Sequence, residues 1–164
     1  MPAPTIGEVP HLWRQIQGFA VGGLFQVGYA AGTDILLVLS SQGRGVFDCL
    51  TGEKVARDHA EAHDFFDPIR LSAVGIGPLT GTTVRVAGLF GGGLPLTTTD
   101  GWGLEVQARS WPTHSVFLSA PASRTPVCIG DDGACEMRAC GFSETGRSFV
   151  IATSCDLRIF TRPE

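Results

Sequence analysis

From Phe19 onward, short aliphatic and aromatic runs alternate with glycine-containing turns, a rhythm that predicts strands. GLFQVGY, DILLVLSS, GVFDCL and EKVARD follow one another between residues 23 and 58, which reads as an antiparallel meander. Asp34 marks the first turn, Gly43-Arg44-Gly45 the second and Thr51-Gly52 the third. Before the meander, Leu12, Trp13 and Ile16 follow Pro10 at helical spacing, so a short helix is expected over Pro10 to Gly18.

Sliding the chain against itself by 113 residues, without gaps, lays Val27–Asp48 on Cys140–Thr161. Gly28 meets Gly141, Tyr29 meets Phe142, Leu36-Leu37-Val38 meets Phe149-Val150-Ile151, and Phe47 meets Phe160. A weaker middle copy at an offset of 58 puts Gly43 and Gly45 on Gly101 and Gly103, and Val46 on Leu104. The second copy, FSETGRSFVIATS before DLRIF, resembles a blade of a WD40-type β-propeller, although it lacks that family's Gly-His and Trp-Asp pairs. The resemblance implies an all-β fold of antiparallel meander units at 19–58, about 69–120 and 127–161. Three blades are fewer than the roughly four that close a ring. The units are therefore expected to pack as a compact sandwich-like or barrel-like domain, or as an incomplete propeller whose open ends meet in a homo-oligomer.

Composition sharpens this picture. With 164 residues, 43% hydrophobic and 17% charged, the chain is expected to build one domain around one core. Its 22 Gly and 10 Pro disfavour long helices. A formal net charge of −4, with the 12 basic residues dispersed, gives no footprint for a phosphate backbone, so nucleic acid is not an expected partner. The bias to Arg over Lys, with Lys54 alone, fits a GC-rich bacterial genome. No apolar run approaches the roughly 20 residues of a membrane span, and MPAPTIGEVPHLW does not read as a signal peptide. A cytoplasmic location without membrane contact is expected.

Candidate chemistry is sparse. In Arg57–Asp67, His59 and His63 would share a face if the segment were helical, with Glu61 or Asp67 as a third zinc ligand. Glu61 stands two residues after His59, whereas the zincin pattern places its glutamate directly after the histidine. A solvated loop accounts for the same residues. Cys128 and Cys135 flank the turn at Asp131-Asp132 and could approach disulfide distance, while the default for five irregularly spaced cysteines is packed free thiols. Gly91-Gly92-Gly93 lacks the Lys-Ser/Thr pair of a phosphate loop and reads as turn and strand.

Trp102 between glycines and Trp111 before Pro112 are aromatic residues at turns, suited either to anchoring a partner or to sealing a core. With no cofactor motif and no Gly-x-Ser-x-Gly elbow, the leading expectation is a non-enzymatic protein that binds another protein. Immunity proteins, adaptors and assembly subunits are of this kind. Trp102, Trp111, His59, Glu61, His63 and Asp67 are its candidate contacts. The alternatives are a metal-dependent hydrolase using His59 and His63, and a redox-responsive scaffold using Cys128 and Cys135.

Overall fold

The computed structural model describes residues 4–123 and 125–163. In chain order its strands are β1 (Arg14–Ala20), β2 (Leu24–Tyr29), β3 (Ile35–Ser40), β4 (Gly43–Asp48) and β5 (Glu53–Arg57). A helical turn, Ala62–Phe65, leads to β6 (Phe66–Asp67), β7 (Ser72–Val74), β8 (Thr83–Arg85) and β9 (Ala87–Gly88). Then come β10 (Gly103–Ser110), β11 (Thr113–Ser119), β12 (Val127–Asp131), β13 (Met137–Phe142), β14 (Ser148–Thr153) and β15 (Asp156–Thr161).

Among the described residues these strands form four antiparallel sheets, ordered β10-β11-β12, β1-β15-β14-β13, β5-β4-β3-β2-β9 and β6-β7-β8, and none closes into a barrel. Three apolar clusters join them into a sandwich-like stack in that order. Phe149, Ile151 and Phe160 pack on Leu104, Val116, Leu118 and Ile129. From the opposite face of the same sheet, Val150, Ala152 and Ile159 pack on Leu36, Val38 and Phe47. Leu37, Leu39 and Val46 then face Ala73, Val84 and Val86. The two inner sheets are thus covered on both sides. That is why SFVIAT and ILLVLS read as continuous apolar runs with no polar alternation.

The 113-residue repeat is a repeat of structure. The ends of β2, β3 and β4 recur at that offset in β13, β14 and β15. The pairings recur too: Tyr29 opposite Leu36 becomes Phe142 opposite Phe149, and Leu36 opposite Phe47 becomes Phe149 opposite Phe160. Even the register irregularity at Leu24/Gln26 reappears at Met137/Ala139. Equivalent faces point to successive neighbours, since Leu36 meets the β14 sheet and its counterpart Phe149 meets the β11 sheet. The copies therefore stack head to tail.

The aligned glycines have a steric cause. A Cβ on Gly28 would lie 1.8 Å from the Arg85 carbonyl oxygen, and one on Gly141 would lie 2.3 Å from Leu94 Cβ. In each copy another stretch of backbone crosses the first strand at that point.

The structure differs from three sequence expectations. Arg14–Ala20 is a strand and not a helix, paired antiparallel with β15 from Arg14–Thr161 to Ala20–Asp156. The edge of β15 offers a row of unpaired backbone groups, and laddering onto it outweighs the weak preference of one helical turn. The offset of 58 does not recur, because it would place β3 on residues 93–98, which are irregular apart from a bridge at Thr97. The stretch 69–120 is shared among three sheets, and β12 joins β11 and not β13, so the sheets cut the chain differently from the second and third units drawn on the sequence. No helix among the described residues is long and apolar enough to cross a membrane.

Candidate functional site

The residues singled out on the sequence do not converge. The helix near the histidines has only four residues, Ala62–Phe65, which leaves His59 outside it. Backbone at Asp58–His59 runs across Gly43, where a Cβ would lie 2.2 Å from the Asp58 carbonyl oxygen. Asp58 is tied there by its N–H to the Arg44 carbonyl at 3.0 Å, and its carboxylate accepts from Arg44 Nε at 3.0 Å. Desolvation works to raise the Asp58 pKa, but the hydrogen bonds from Arg44 prevail and hold it below the usual carboxylate value.

That anchoring leaves His59 outside the helical turn, so the helix on which His59 and His63 would share a face does not form. His63 lies in solvent between Glu61 at 3.4 Å and Asp64 at 3.2 Å. Asp67 accepts the N–H groups of Ile69 and Arg70, which makes it a turn residue. No three His, Cys, Asp or Glu side chains are grouped to hold a metal among the described residues.

Cys135 does not pair with Cys128. It forms a disulfide with Cys155, their Cα atoms 6.0 Å apart, and so ties the β12–β13 connection to the β14–β15 turn. Cys128 sits in β12 as a buried thiol, as do Cys49 and Cys140 elsewhere in the core. Burial pushes the Cys140 pKa up to about 12, which keeps that thiol protonated and unreactive.

The two tryptophans separate. Trp102 is only 6% exposed and belongs to the core, edge-on to Trp13 with ring centroids 5.8 Å apart. Arg162 lies over both rings while its guanidinium holds Asp100 at 2.8 and 2.9 Å, sealing that end of the stack. Trp111, in the β10–β11 turn, is 79% exposed. Its ring stands 6.2 Å from that of His114, which is held by Asp132 through Nδ1 at 3.2 Å and through its backbone N–H at 2.9 Å.

A buried polar chain joins the two repeats. The Asp34 carboxylate accepts from Ser148 Oγ at 2.6 Å and from Thr145 Oγ1 at 2.7 Å, and the Tyr29 hydroxyl lies 3.0 Å from Ser148 Oγ. Burial raises the Tyr29 pKa well above that of a free phenol, so the hydroxyl stays neutral. Ser148 is fully buried, which closes this Asp-Ser-Tyr arrangement to substrate and gives it the role of a clamp between sheets.

The most developed exposed feature lies at the β9 turn. Phe25, Phe66 and Phe90 touch one another with centroids 5.3 to 5.9 Å apart. Phe90 and the neighbouring Leu89 are each more than half exposed. The tip is rigidly held. Buried Gln26 accepts the Phe90 N–H at 2.8 Å, Phe25 accepts the Leu89 N–H at 2.9 Å, and Gly88 and Gly91 exchange backbone hydrogen bonds. Sequence reading passed over these residues because the phenylalanines lie far apart in the chain, and a glutamine inside an apolar strand looks like any solvent-facing one. The available signal was Leu89-Phe90 set directly before three glycines.

No family model and no curated protein matches this chain.

Proposed function

We propose that this chain is a non-enzymatic protein that binds another protein, with Leu89 and Phe90 as its principal anchors. The observation that carries the reading is the three-ring cluster at the β9 turn, where apolar side chains are held outward by a buried glutamine and paired glycine backbone. Preorganised exposed aromatics lose little entropy on docking, and truncating such an anchor typically costs 2 kcal/mol or more, which is about a thirtyfold loss of affinity. Trp111, braced by His114, supplies a second, separate anchor. The sealed Asp34–Ser148–Tyr29 chain supports a structural role for the most catalytic-looking polar group. The identical register of the two copies supports their reading as blade-like units, related to the propeller pattern by architecture.

The test compares the immobilised parent chain with a Leu89→Ser, Phe90→Ser variant in extract of the native host. One protein should bind the parent saturably and be lost about thirtyfold from the variant, while both remain folded by circular dichroism and unfold cooperatively. If the parent retains no protein saturably, or the variant retains it equally, the reading fails. Concentration-dependent self-association removed by the same variant would make the partner a second copy of the chain.

The Cys135–Cys155 disulfide favours a second, redox-responsive property. It closes a loop with a sequence separation of 20, for which chain entropy predicts a contribution of about 3 kcal/mol. Alkylation of unfolded chain without reductant should label three thiols, Cys49, Cys128 and Cys140, and five after reduction. Reduction should lower the stability of the intact fold by about the amount given by loop closure. Labelling of all five before reduction removes this property.

A further inference from the structure

A cleft of about 220 Å³ opens beside the glycine run, lined by Arg70, Leu71, Arg85, Val86, Ala87 and the segment Gly92–Leu94. Its charge is one-sided. The Arg85 side chain makes no hydrogen bond or ion pair with the described residues, and Arg70 is only loosely held, 3.9 Å from Asp67. No carboxylate lines the cleft. The glycine run adds a second kind of donor, since the N–H groups of Gly92, Gly93 and Leu94 have no hydrogen-bond partner among the described residues. Gly91 and Gly92 reach that conformation with φ of +113° and +83°, which side chains other than glycine rarely adopt. Successive free N–H groups next to one unpaired and one loosely held guanidinium group form a donor set suited to an oxyanion.

We propose that this cleft is an oxyanion-binding site for a carboxylate or phosphate group, with Arg70 and Arg85 supplying charge and Gly92–Leu94 supplying backbone donors. The volume admits a group of that size, and Leu71, Val86 and Ala87 line the cleft beside the donors. Sequence reading set the glycines aside because no Lys-Ser/Thr pair follows them. Here the cations come from β8 and the β6–β7 turn, 6 to 23 residues upstream of the glycine run, and no nucleotide-type loop is needed. The assignment stands independently of the docking surface around Phe90.

Titrating ¹⁵N-labelled full chain at constant ionic strength tests it, first with inorganic phosphate and separately with an acetylated tetraglutamate peptide. The Gly92 and Gly93 amides and the Arg85 side-chain Nε–H should shift saturably with at least one of the two. An Arg70→Gln, Arg85→Gln variant, whose changes fall on exposed side chains, should keep its spectrum and bind about tenfold or more weakly. Saturation by phosphate alone identifies free phosphate as the source of the oxyanion. Saturation by the peptide alone identifies acidic segments of protein, and saturation by both shows that the site takes either. If neither saturates, or the folded variant binds as the parent does, the site is overturned.

Discussion

Asp34→Ala is expected to be among the most destabilising single changes in this chain, lowering the free energy of unfolding by about 3–5 kcal/mol. Two hydrogen bonds to a charged acceptor disappear, those from Ser148 at 2.6 Å and from Thr145 at 2.7 Å. Each is worth roughly 1.5–3 kcal/mol, and Ser148 is then left buried with only Tyr29 beside it. Because the carboxylate belongs to the β2–β3 turn and its donors to the first residue of β14 and the turn before it, the loss falls on the contact between two sheets. For a chain of this length the change should lower the melting temperature by roughly 6–20 °C. A double-mutant cycle with Ser148→Ala should return a coupling of about 1.5–3 kcal/mol. A cost for Asp34→Ala below about 1 kcal/mol would show that the network is not a clamp.

This clamp shows where sequence reading reaches its limit. The inner sheets were legible because burial on both faces writes itself as ILLVLS and SFVIAT, and because two copies at one offset reinforce each other. Gly28 and Gly141 were legible as a pair, although their cause, a crossing backbone segment, exists only in three dimensions. The outer sheets left a weaker trace. Strands such as β6, β7, β8 and β9 have two or three residues, too few to display a period, and the residues around them were read as one long unit.

The candidate site was least legible of all. Phe25, Phe66 and Phe90 come from three separate elements, and Arg70, Arg85 and the glycine run are brought together by the β7–β8 hairpin and the β9 turn. Trp102 and Trp111 look alike in sequence, each at a turn beside Gly or Pro. What separates them is whether an opposite wall is present, and Trp13 with Arg162 provides one only for Trp102. The disulfide illustrates the same limit. Cys128 and Cys135 flank one turn in the sequence, yet Cys128 is turned into the core and Cys135 meets a cysteine 20 positions later.

Phe149→Ala carries the second large effect, an expected loss of about 3–5 kcal/mol. The ring is fully buried, stacked on Phe160 at 4.5 Å with 5° between planes, and edge-on to Trp13 at 4.9 Å and Phe142 at 5.5 Å. Its three ring partners are themselves large aromatic groups fixed in strands or wedged under Arg162, so the cavity left behind has few ways to collapse. Leu36→Ala, at the equivalent place in the other copy, should cost about 2–5 kcal/mol while acting on a different seam. Phe149 belongs to the contact with β10, β11 and β12, whereas Leu36 belongs to the contact between the two repeats. Hydrogen exchange distinguishes them. In Phe149→Ala the amides of β10–β12 should lose protection before those of β2–β4, and in Leu36→Ala protection should fall on both sides of the β3–β14 seam together. Uniform loss of protection in both variants would instead mean that the stacked sheets unfold as one cooperative unit, without the head-to-tail independence that the repeated packing implies.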